Sequence, residues 1–516
     1  MSPLCCASPY APGILLALAA SLGGLRSPLS WVVFSVFFFA WFLLSGRRLR
    51  AGGRNSALLF FCWMAAAALF SPDPAFSFSV LAKYAVFAAL FFSASAAEED
   101  GWLFSVLAIG LAASAVFIFQ KASGLGAAGF MGANPNYTAA FAAAAFPAAL
   151  LTGFEAIKGS KKNLMFILAG FIALGLAASG SRGAIGAAFF SAAAGLAVSG
   201  RRRALAVFLL AAASAFVLLP ADFIGGLLKF SDPRAFERPR LWSAALQAAA
   251  ASPLTGWGPG LFVRAFEFFK FPYFDGVSFY GHSTLHAHGE LFNLAAEAGF
   301  PAAIFFLAAA AQGFFRGGAN RLPLKLCALA VFLQGGTDII FYSGAVSLLF
   351  WGSLGLASAG EAAVSGGNMR LKALLAAACV AALGSAALPV APASPEKGAR
   401  LYPEAALAGV RLQAINKPRD PFSRAAEGDI LYSLGDLRGA GAAYKRALSL
   451  EPFFAGARLG LARVYAASGR PGPACSGLKL AEKSGLLKAQ NGYDRSLIFL
   501  EPKELERLNR DLCRKK

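Results

Sequence analysis

The chain has 516 residues, of which 57% are hydrophobic and only 14% charged, with a formal net charge of +20. Its apolar residues fall in long runs rather than in the short stripes of a soluble core, which excludes an ordinary globular domain. Lys and Arg sit in short clusters between those runs, so the positive charge reads as a topology signal and speaks against a nucleic-acid partner.

The first run, from about Ile14 to Leu25, lacks a basic leader and a cleavage site, and a second run from Trp31 to Leu44 follows at once. It is therefore expected to stay as a first span rather than leave as a signal peptide. Later runs lie near 57–71, 79–96, 102–120, 136–153, 164–179, 183–198, 203–220, 288–314, 324–341, 344–360 and 371–391. Each is near the length a helix needs to cross about 30 Å of hydrocarbon. The predicted fold is all-α: a polytopic bundle of about 12 to 13 spans over residues 1–395, with a long outer loop at 221–286 and a soluble helical domain at 396–516.

The basic clusters set the expected orientation. Arg47, Arg48, Arg50 and Arg54 follow the second span, Lys158, Lys161 and Lys162 the sixth, Arg201, Arg202 and Arg203 the eighth, and Arg316 and Arg321 the tenth; Arg370 and Lys372 precede the last. All fall on one side, so the N-terminus is predicted to be cytoplasmic and the C-terminal domain periplasmic.

The C-terminal segment is mixed, charged and helical in period. Small residues recur at a spacing of 34, as in Gly435 and Gly469, Ala440 and Ala474, Ala447 and Ala481. They let antiparallel helices pack closely, and Pro452 follows a helix it cannot continue. With Tyr444, Ala447, Leu448 and Pro452 the segment resembles a tetratricopeptide repeat, and a partial earlier unit runs from Glu404 to Pro418. Such a surface implies a protein partner, with a mere packing role as the plain alternative. Cys62, Cys327 and Cys379 read as apolar fillers inside spans. Cys475 and Cys513 share the soluble segment, but a disulfide between them is not predicted.

The polar candidates gather on the predicted outer face. Asn134, Pro135 and Asn136 open one span, and Arg182 stands in the sequence Ser-Gly-Ser-Arg-Gly at another boundary. A guanidinium there either anchors at the interface or binds an anion. The long loop carries Arg234, Arg238, Arg240 and Arg264 among aromatic residues including Trp242 and Trp257. Arginine fits phosphate oxygens and an aromatic ring stacks on sugar or lies on lipid, although a surface ion pair is the plain reading of Arg238. All three histidines, His282, His286 and His288, fall at the end of this loop. Apart from Glu290 no further ligand has a familiar metal spacing, so a base or hydrogen-bonding role is favoured, above all for His288. Asp338, an acid within an apolar run, is a functional candidate by default, with pairing to a buried partner as the favoured plain reading.

The segments GANPNYTAAFAAAAFPAAL, SGSRGAIGA, ERPRLWSAALQAAAASPLTGWGPGLF and LHAHGELFNLAAEAGFPAAIFFL occur in the order and spacing of the O-antigen ligase and polymerase superfamily, which the chain resembles over roughly residues 55 to 360. The resemblance implies a bacterial inner-membrane glycosyltransferase that takes a glycan from undecaprenyl diphosphate on the periplasmic face and joins it to an acceptor hydroxyl. It implies neither nucleotide sugar nor metal, and hence no cofactor. The acceptor would be lipid A core, a growing glycan or a protein. Carried across, it puts Arg182 and Arg238 on the donor diphosphate and makes His288 the base or acceptor-positioning group. Arg240, Trp242, His282, His286, Asn136 and Arg264 would line the substrate site. Gly289 departs from the family, where Asn often follows the histidine. Glu297 and Gly299 fit the family pattern and read as loop anchoring rather than chemistry.

Other functions compete with this one. A protein oligosaccharyltransferase belongs to the same superfamily. A polysaccharide transporter or flippase would place its charges at mid-membrane and often shows internal repeats, whereas here the candidates gather outside. A scaffold acting only through the repeat tail is the third class.

Overall fold

The computed structural model describes residues 9–45, 49, 54–132, 134–155, 160–218, 225, 237–272, 280, 282–316, 318, 321–359, 369–387, 403–490 and 502–513. Arg47, Arg48, Arg50, Lys158 and Arg234 lie outside these residues. The chain divides into two compact units, one of Met1–Trp242, Ala249–Phe262 and His286–Leu388, the other of Ser243–Ala248, Val263–Leu285 and Pro389–Lys516. No strand occurs among the described residues.

In the first unit each predicted apolar run contains a helix: α1 (Ala11–Ser21), α2 (Pro28–Leu44), α3 (Asn55–Leu69), α4 (Pro74–Ser93), α5 (Glu99–Ala122), α6 (Pro135–Glu155), α7 (Ser160–Ser179), α8 (Arg182–Val198) and α9 (Arg202–Leu218). After the outer loop come α12 (Glu290–Phe315), α13 (Leu322–Gly335), α14 (Gly344–Ala357) and α15 (Met369–Ala387); α10 (Arg238–Ala251) and α11 (Phe262–Phe269) lie between. Five helices among the described residues, α4 to α7 and α12, are long and apolar enough to cross a membrane, and the remaining apolar helices are shorter.

Local chemistry fixes where these helices begin. Ser27 accepts from the Ser30 amide at 3.1 Å ahead of Pro28, and Asp73 accepts from the Phe76 amide at 3.1 Å ahead of Pro74. A capping oxygen satisfies an amide that has no partner inside the helix, and a proline in the first turn has no such amide to satisfy.

Lipid tails are as apolar as leucine, so close approach rather than water exclusion holds such helices together. Helix α6 lies at the centre, with Ala139 to Ala145 wholly buried. A Cβ on Gly110 of α5 would fall 2.3 Å from the Ala145 methyl, and one on Gly195 of α8 would fall 2.5 Å from Leu326. Larger rings fill the other side. Phe60 stacks on Trp351 at 5.4 Å and meets Phe306 at 5.5 Å.

One expected topology charge proves structural. Arg54 is buried, donating to the Phe91 carbonyl at 2.7 Å and the Gly355 carbonyl at 3.0 Å. Arg321 likewise donates to Ala359 and faces Glu99 at 3.8 Å. Both hold the last turn of α14. At the first turn of α14, Gly24 accepts from Ser343 and Ala345 instead.

Two further expectations need correction. The run at 324–341 is not one span, because α13 stops at Gly335 and a 3-10 turn (Ile340–Tyr342) follows. Asp338 therefore sits in a connection, not within a helix. Helix α12 is also broken, at Ala298 and Gly299 (φ 79°), two residues before Pro301, which has no amide to donate.

The second unit contains α16 (Pro403–Asn416), α17 (Pro421–Ser433), α18 (Leu437–Leu450), α19 (Ala455–Ala467), α20 (Pro471–Gln490) and α21 (Pro502–Cys513). Helices α17 and α18 pack as one pair and α19 and α20 as the next, each pair turned by a left-handed glycine, Gly435 (φ 82°) or Gly469 (φ 72°). Tyr444 lies where a Cβ on Gly428 or Gly460 would collide with its ring, at 2.7 and 2.3 Å. These two glycines, which are not among the pairs at the 34-residue spacing, thus form a seat for one large ring. Cys475 and Cys513 are joined by a disulfide, a pairing the sequence left open, since the fold brings together residues that spacing alone does not pair. The loop segment 263–285 belongs to this unit. Arg419 donates to the Lys270 carbonyl and lies 5.7 Å over the Tyr280 ring, while the Tyr280 amide donates to the Leu450 carbonyl at 3.1 Å.

Candidate functional site

The polar residues of the first unit assemble around Asp338, whose side chain is 2% exposed. The Ile339 amide donates to its Oδ1 at 2.8 Å, which fixes the carboxylate against its own backbone. Three distant helix starts meet it. From α10, Arg238 brings a guanidinium nitrogen to 4.0 Å from Oδ2. From α6, the Asn136 side chain hydrogen-bonds to the carboxylate, and the Asn136 carbonyl accepts from Gln334 at 3.1 Å. From α8, Gly183 passes so close that a Cβ there would stand 3.6 Å from Oδ2.

Two of these helix starts have a local cause in capping side chains. Ser181 accepts from the Ala184 amide and caps α8, so Arg182 is its first residue, half-buried at a terminus whose dipole favours anions. Asn134 accepts from the Asn136 amide at 3.0 Å ahead of Pro135. An open groove lined by Lys121, Leu125, Pro135, Ser179 and Gly180 adjoins these two starts.

His288 belongs to the same assembly. The Trp242 indole, one turn after Arg238, donates to the His288 carbonyl at 3.1 Å and stacks on Phe292 at 5.1 Å. His288 itself adopts φ 56°, a left-handed conformation that costs a residue with a Cβ about 1–2 kcal/mol. Strain of this kind persists only where surrounding contacts impose it. A Cβ on Gly289 would lie 3.0 Å from both the Trp242 indole nitrogen and the Gly336 carbonyl. Gly289 thus lets the Trp242 indole and the Gly336 carbonyl approach its backbone closely. Burial pushes the His288 imidazole down to about 4, helped by the neighbouring His286 and by the Arg238 cation. It is therefore a neutral base near neutral pH.

The other predicted residues divide. His286 is buried, with Nε2 3.6 Å from the Glu290 carboxylate one turn on. Arg240 turns to Glu237, within 3.2 Å, rather than toward Asp338. His282 and Arg264 belong to the second unit. There the His282 ring lies against Phe266 and Phe271 at 5.6 and 5.5 Å, and its carbonyl accepts from Lys270, whose ammonium pairs with Glu267 at 2.7 Å. Arg264 is half-buried on α11.

The turn Ser252–Gly260 is docked on the break in α12. The Glu297 carboxylate accepts from the Gly260 and Phe262 amides at 2.8 and 3.2 Å, and the Phe300 amide donates to the Pro253 carbonyl at 2.9 Å. A Cβ on Gly299 would strike the Leu254 carbonyl at 2.0 Å. Glu297 and Gly299 thus anchor the loop. Sequence reasoning did not find Asp338 as the hub or Gln334 as its neighbour's partner; the only signal was an acid in an apolar stretch.

Among the described residues no group of three or more His, Cys, Asp or Glu side chains is gathered to hold a metal ion. Cations at two helix starts and one neutral imidazole can bind an anionic phosphate and accept a proton.

The apolar helices mark a multi-pass membrane protein. Residues 165–307 match the family model described as O-antigen ligase, and this similarity supports the O-antigen ligase superfamily. The match spans Arg182, Arg238 and His288. A comparison with curated proteins finds no match.

Proposed function

We propose that the protein transfers a glycan from undecaprenyl diphosphate to an acceptor hydroxyl on the periplasmic face of the bacterial inner membrane. The acceptor oxygen attacks the anomeric carbon of the lipid-linked sugar. The bond from that carbon to the phosphate oxygen breaks, undecaprenyl diphosphate leaves, and His288 takes the hydroxyl proton. Arg182 and Arg238 bind the diphosphate and stabilise the charge that grows on it as it departs. Asp338 and Asn136 position Arg238, and Trp242 holds the backbone of His288. The reaction needs positioning and charge stabilisation more than a strong base, because a lipid diphosphate is already a good leaving group.

The observation that carries this reading is the meeting of Arg238, Gly183 beside Arg182, and Asn136 on one buried carboxylate, with Trp242 bonded to His288. The Cys475–Cys513 disulfide supports a periplasmic second unit, since disulfides persist in oxidising compartments. Arg54 and Arg321 support the same sidedness. They hold the last turn of α14, while Gly24 and the Asp338 connection meet its first turn, about 20 Å away along the helix. We read the second unit as tetratricopeptide repeats, which supports a protein acceptor or assembly partner as a second reading.

The test is deletion of the gene followed by analysis of undecaprenyl-linked intermediates, surface glycans and glycoproteins, with complementation. Lipid-linked glycan should accumulate in the deletion strain, and Arg182→Ala or His288→Ala should fail to clear it. Full complementation by those variants would refute the assignment.

A further inference from the structure

We propose that Arg26 is a third phosphate-binding arginine of this site, a role that rests on the reading of the site just given. The residue lies in the short connection between α1 and α2, on the side of the bundle where α6 and α14 begin. Its Nη1 donates to the Met131 carbonyl at 3.0 Å, and its guanidinium lies 4.8 Å over the ring of Tyr137. Tyr137 follows Asn136, the residue that hydrogen-bonds to Asp338. Arg26 is therefore held two residues along from the Asp338 hub, by a route independent of the loop that supplies Arg238.

The backbone before Arg26 is built to hold it there. Gly23 and Gly24 adopt φ 70° and 73°, and Leu25, which has a Cβ, adopts φ 56°. Among the described residues Leu25 and His288 alone are non-glycine residues with positive φ. One precedes Arg26 and the other is the proposed base. The turn is bolted to the connection that carries Asp338, because the Gly24 carbonyl accepts from the Ser343 hydroxyl at 2.8 Å and from the Ala345 amide at 3.2 Å. On the other flank a Cβ on Gly132 would collide with the Arg26 guanidinium at 1.9 Å, so that glycine makes room for the side chain.

Unlike the buried Arg54, Arg26 is exposed; the Met131 carbonyl and a side-chain hydrogen bond with Tyr137 take part of its five N–H donors and leave the others for a ligand. Stacking on Tyr137 holds the fork in a set plane, which lowers the entropy lost when it grips a phosphate. The lipid diphosphate gains a further negative charge as the sugar–phosphate bond breaks, one more than Arg182 and Arg238 together carry, and a third arginine at this boundary offsets it.

The experiment measures binding of farnesyl diphosphate, with farnesol as the uncharged control, to the purified full chain in detergent. Arg26→Gln keeps a donor for the Met131 carbonyl and removes the charge. It should weaken diphosphate binding about tenfold, leave farnesol binding and thermal unfolding as in the wild type, and reduce the salt dependence. Arg26→Lys should fall between the two. Wild-type diphosphate affinity in a folded Arg26→Gln protein overturns the proposal. Arg182→Ala and Arg238→Ala serve as parallel arms. If they weaken binding and Arg26→Gln does not, only the role of Arg26 falls; if none of the three does, the diphosphate site itself falls, and Arg26 with it.

Discussion

The Arg238 guanidinium stands 4.0 Å from the buried carboxylate of Asp338, although one comes from the long loop and the other from the connection after α13. At that separation the pair orients the arginine without consuming it, since the side chain remains 27% exposed and keeps donors for a ligand. Asp338→Asn preserves the shape and an acceptor for the Ile339 amide but removes the charge. We expect it to raise KM for the lipid-linked donor about tenfold with a smaller change in kcat, and Asp338→Ala to do so more severely. Arg238→Lys should not restore activity, because an ammonium cannot reproduce the planar fork. Steady-state kinetics in detergent with a lipid-linked glycan would check both; an unchanged KM in Asp338→Asn would remove the carboxylate from any positioning role.

The low proton affinity of His288 sets a pH profile. A histidine held at about 4, instead of the usual 6.5, is neutral and able to accept a proton at every pH above that value. Activity should fall only as the pH drops toward 4, so kcat/KM should be flat from about pH 5 to pH 8 with respect to this group. Measurement of kcat/KM across that range checks it. An acid limb near 6.5 would mean that another group, or an unperturbed imidazole, controls the reaction.

The bundle was legible in the sequence and the hub was not, for different physical reasons. Hydrocarbon thickness imposes a run length, so each apolar run from Ile14 onward marked a helix. Basic residues were less transparent, because Arg54 occupies a cluster expected to face solvent and yet spends its charge on two carbonyls inside the bundle. Arg182, Arg238 and His288 stood out by residue type at predicted boundaries. That Asp338 joins two of their helix starts depends on tertiary packing between segments far apart in the chain, which no local pattern encodes. The break at Gly299 was hidden for a similar reason. The residues that require it, Pro253 and Leu254, belong to another segment.

Backbone strain at His288 separates stability from function. At φ 56° glycine is unstrained, whereas alanine retains the Cβ penalty and loses the imidazole contacts. His288→Gly and His288→Ala should both be inactive. The glycine variant should nevertheless be the more stable of the two, by about 1 kcal/mol, because relief of strain outweighs the extra freedom glycine gains on unfolding. Thermal or denaturant unfolding of the two purified variants measures the difference, and an alanine variant that is equally or more stable would show that the left-handed conformation is not imposed at this position.

Within the second unit Arg419 ties the paired helices to the loop segment 263–285. Its guanidinium donates to the Lys270 carbonyl and covers the Tyr280 ring, so one side chain grips both ends of the stretch between them. Loss of that grip leaves the Lys270 carbonyl to water and removes a cation–π contact worth about 0.5–1 kcal/mol at an exposed site. Arg419→Ala should therefore speed amide exchange and protease cleavage across 263–285 while the repeats, whose core is Tyr444 between Gly428 and Gly460, keep their protection. Glycan transfer should fall several-fold, because the segment that delivers the histidines is no longer held. Hydrogen exchange read by mass spectrometry on the full chain resolves the two regions. Unchanged exchange across 263–285 would mean that the repeats do not restrain the loop, and their contribution would then be sought in binding a separate partner.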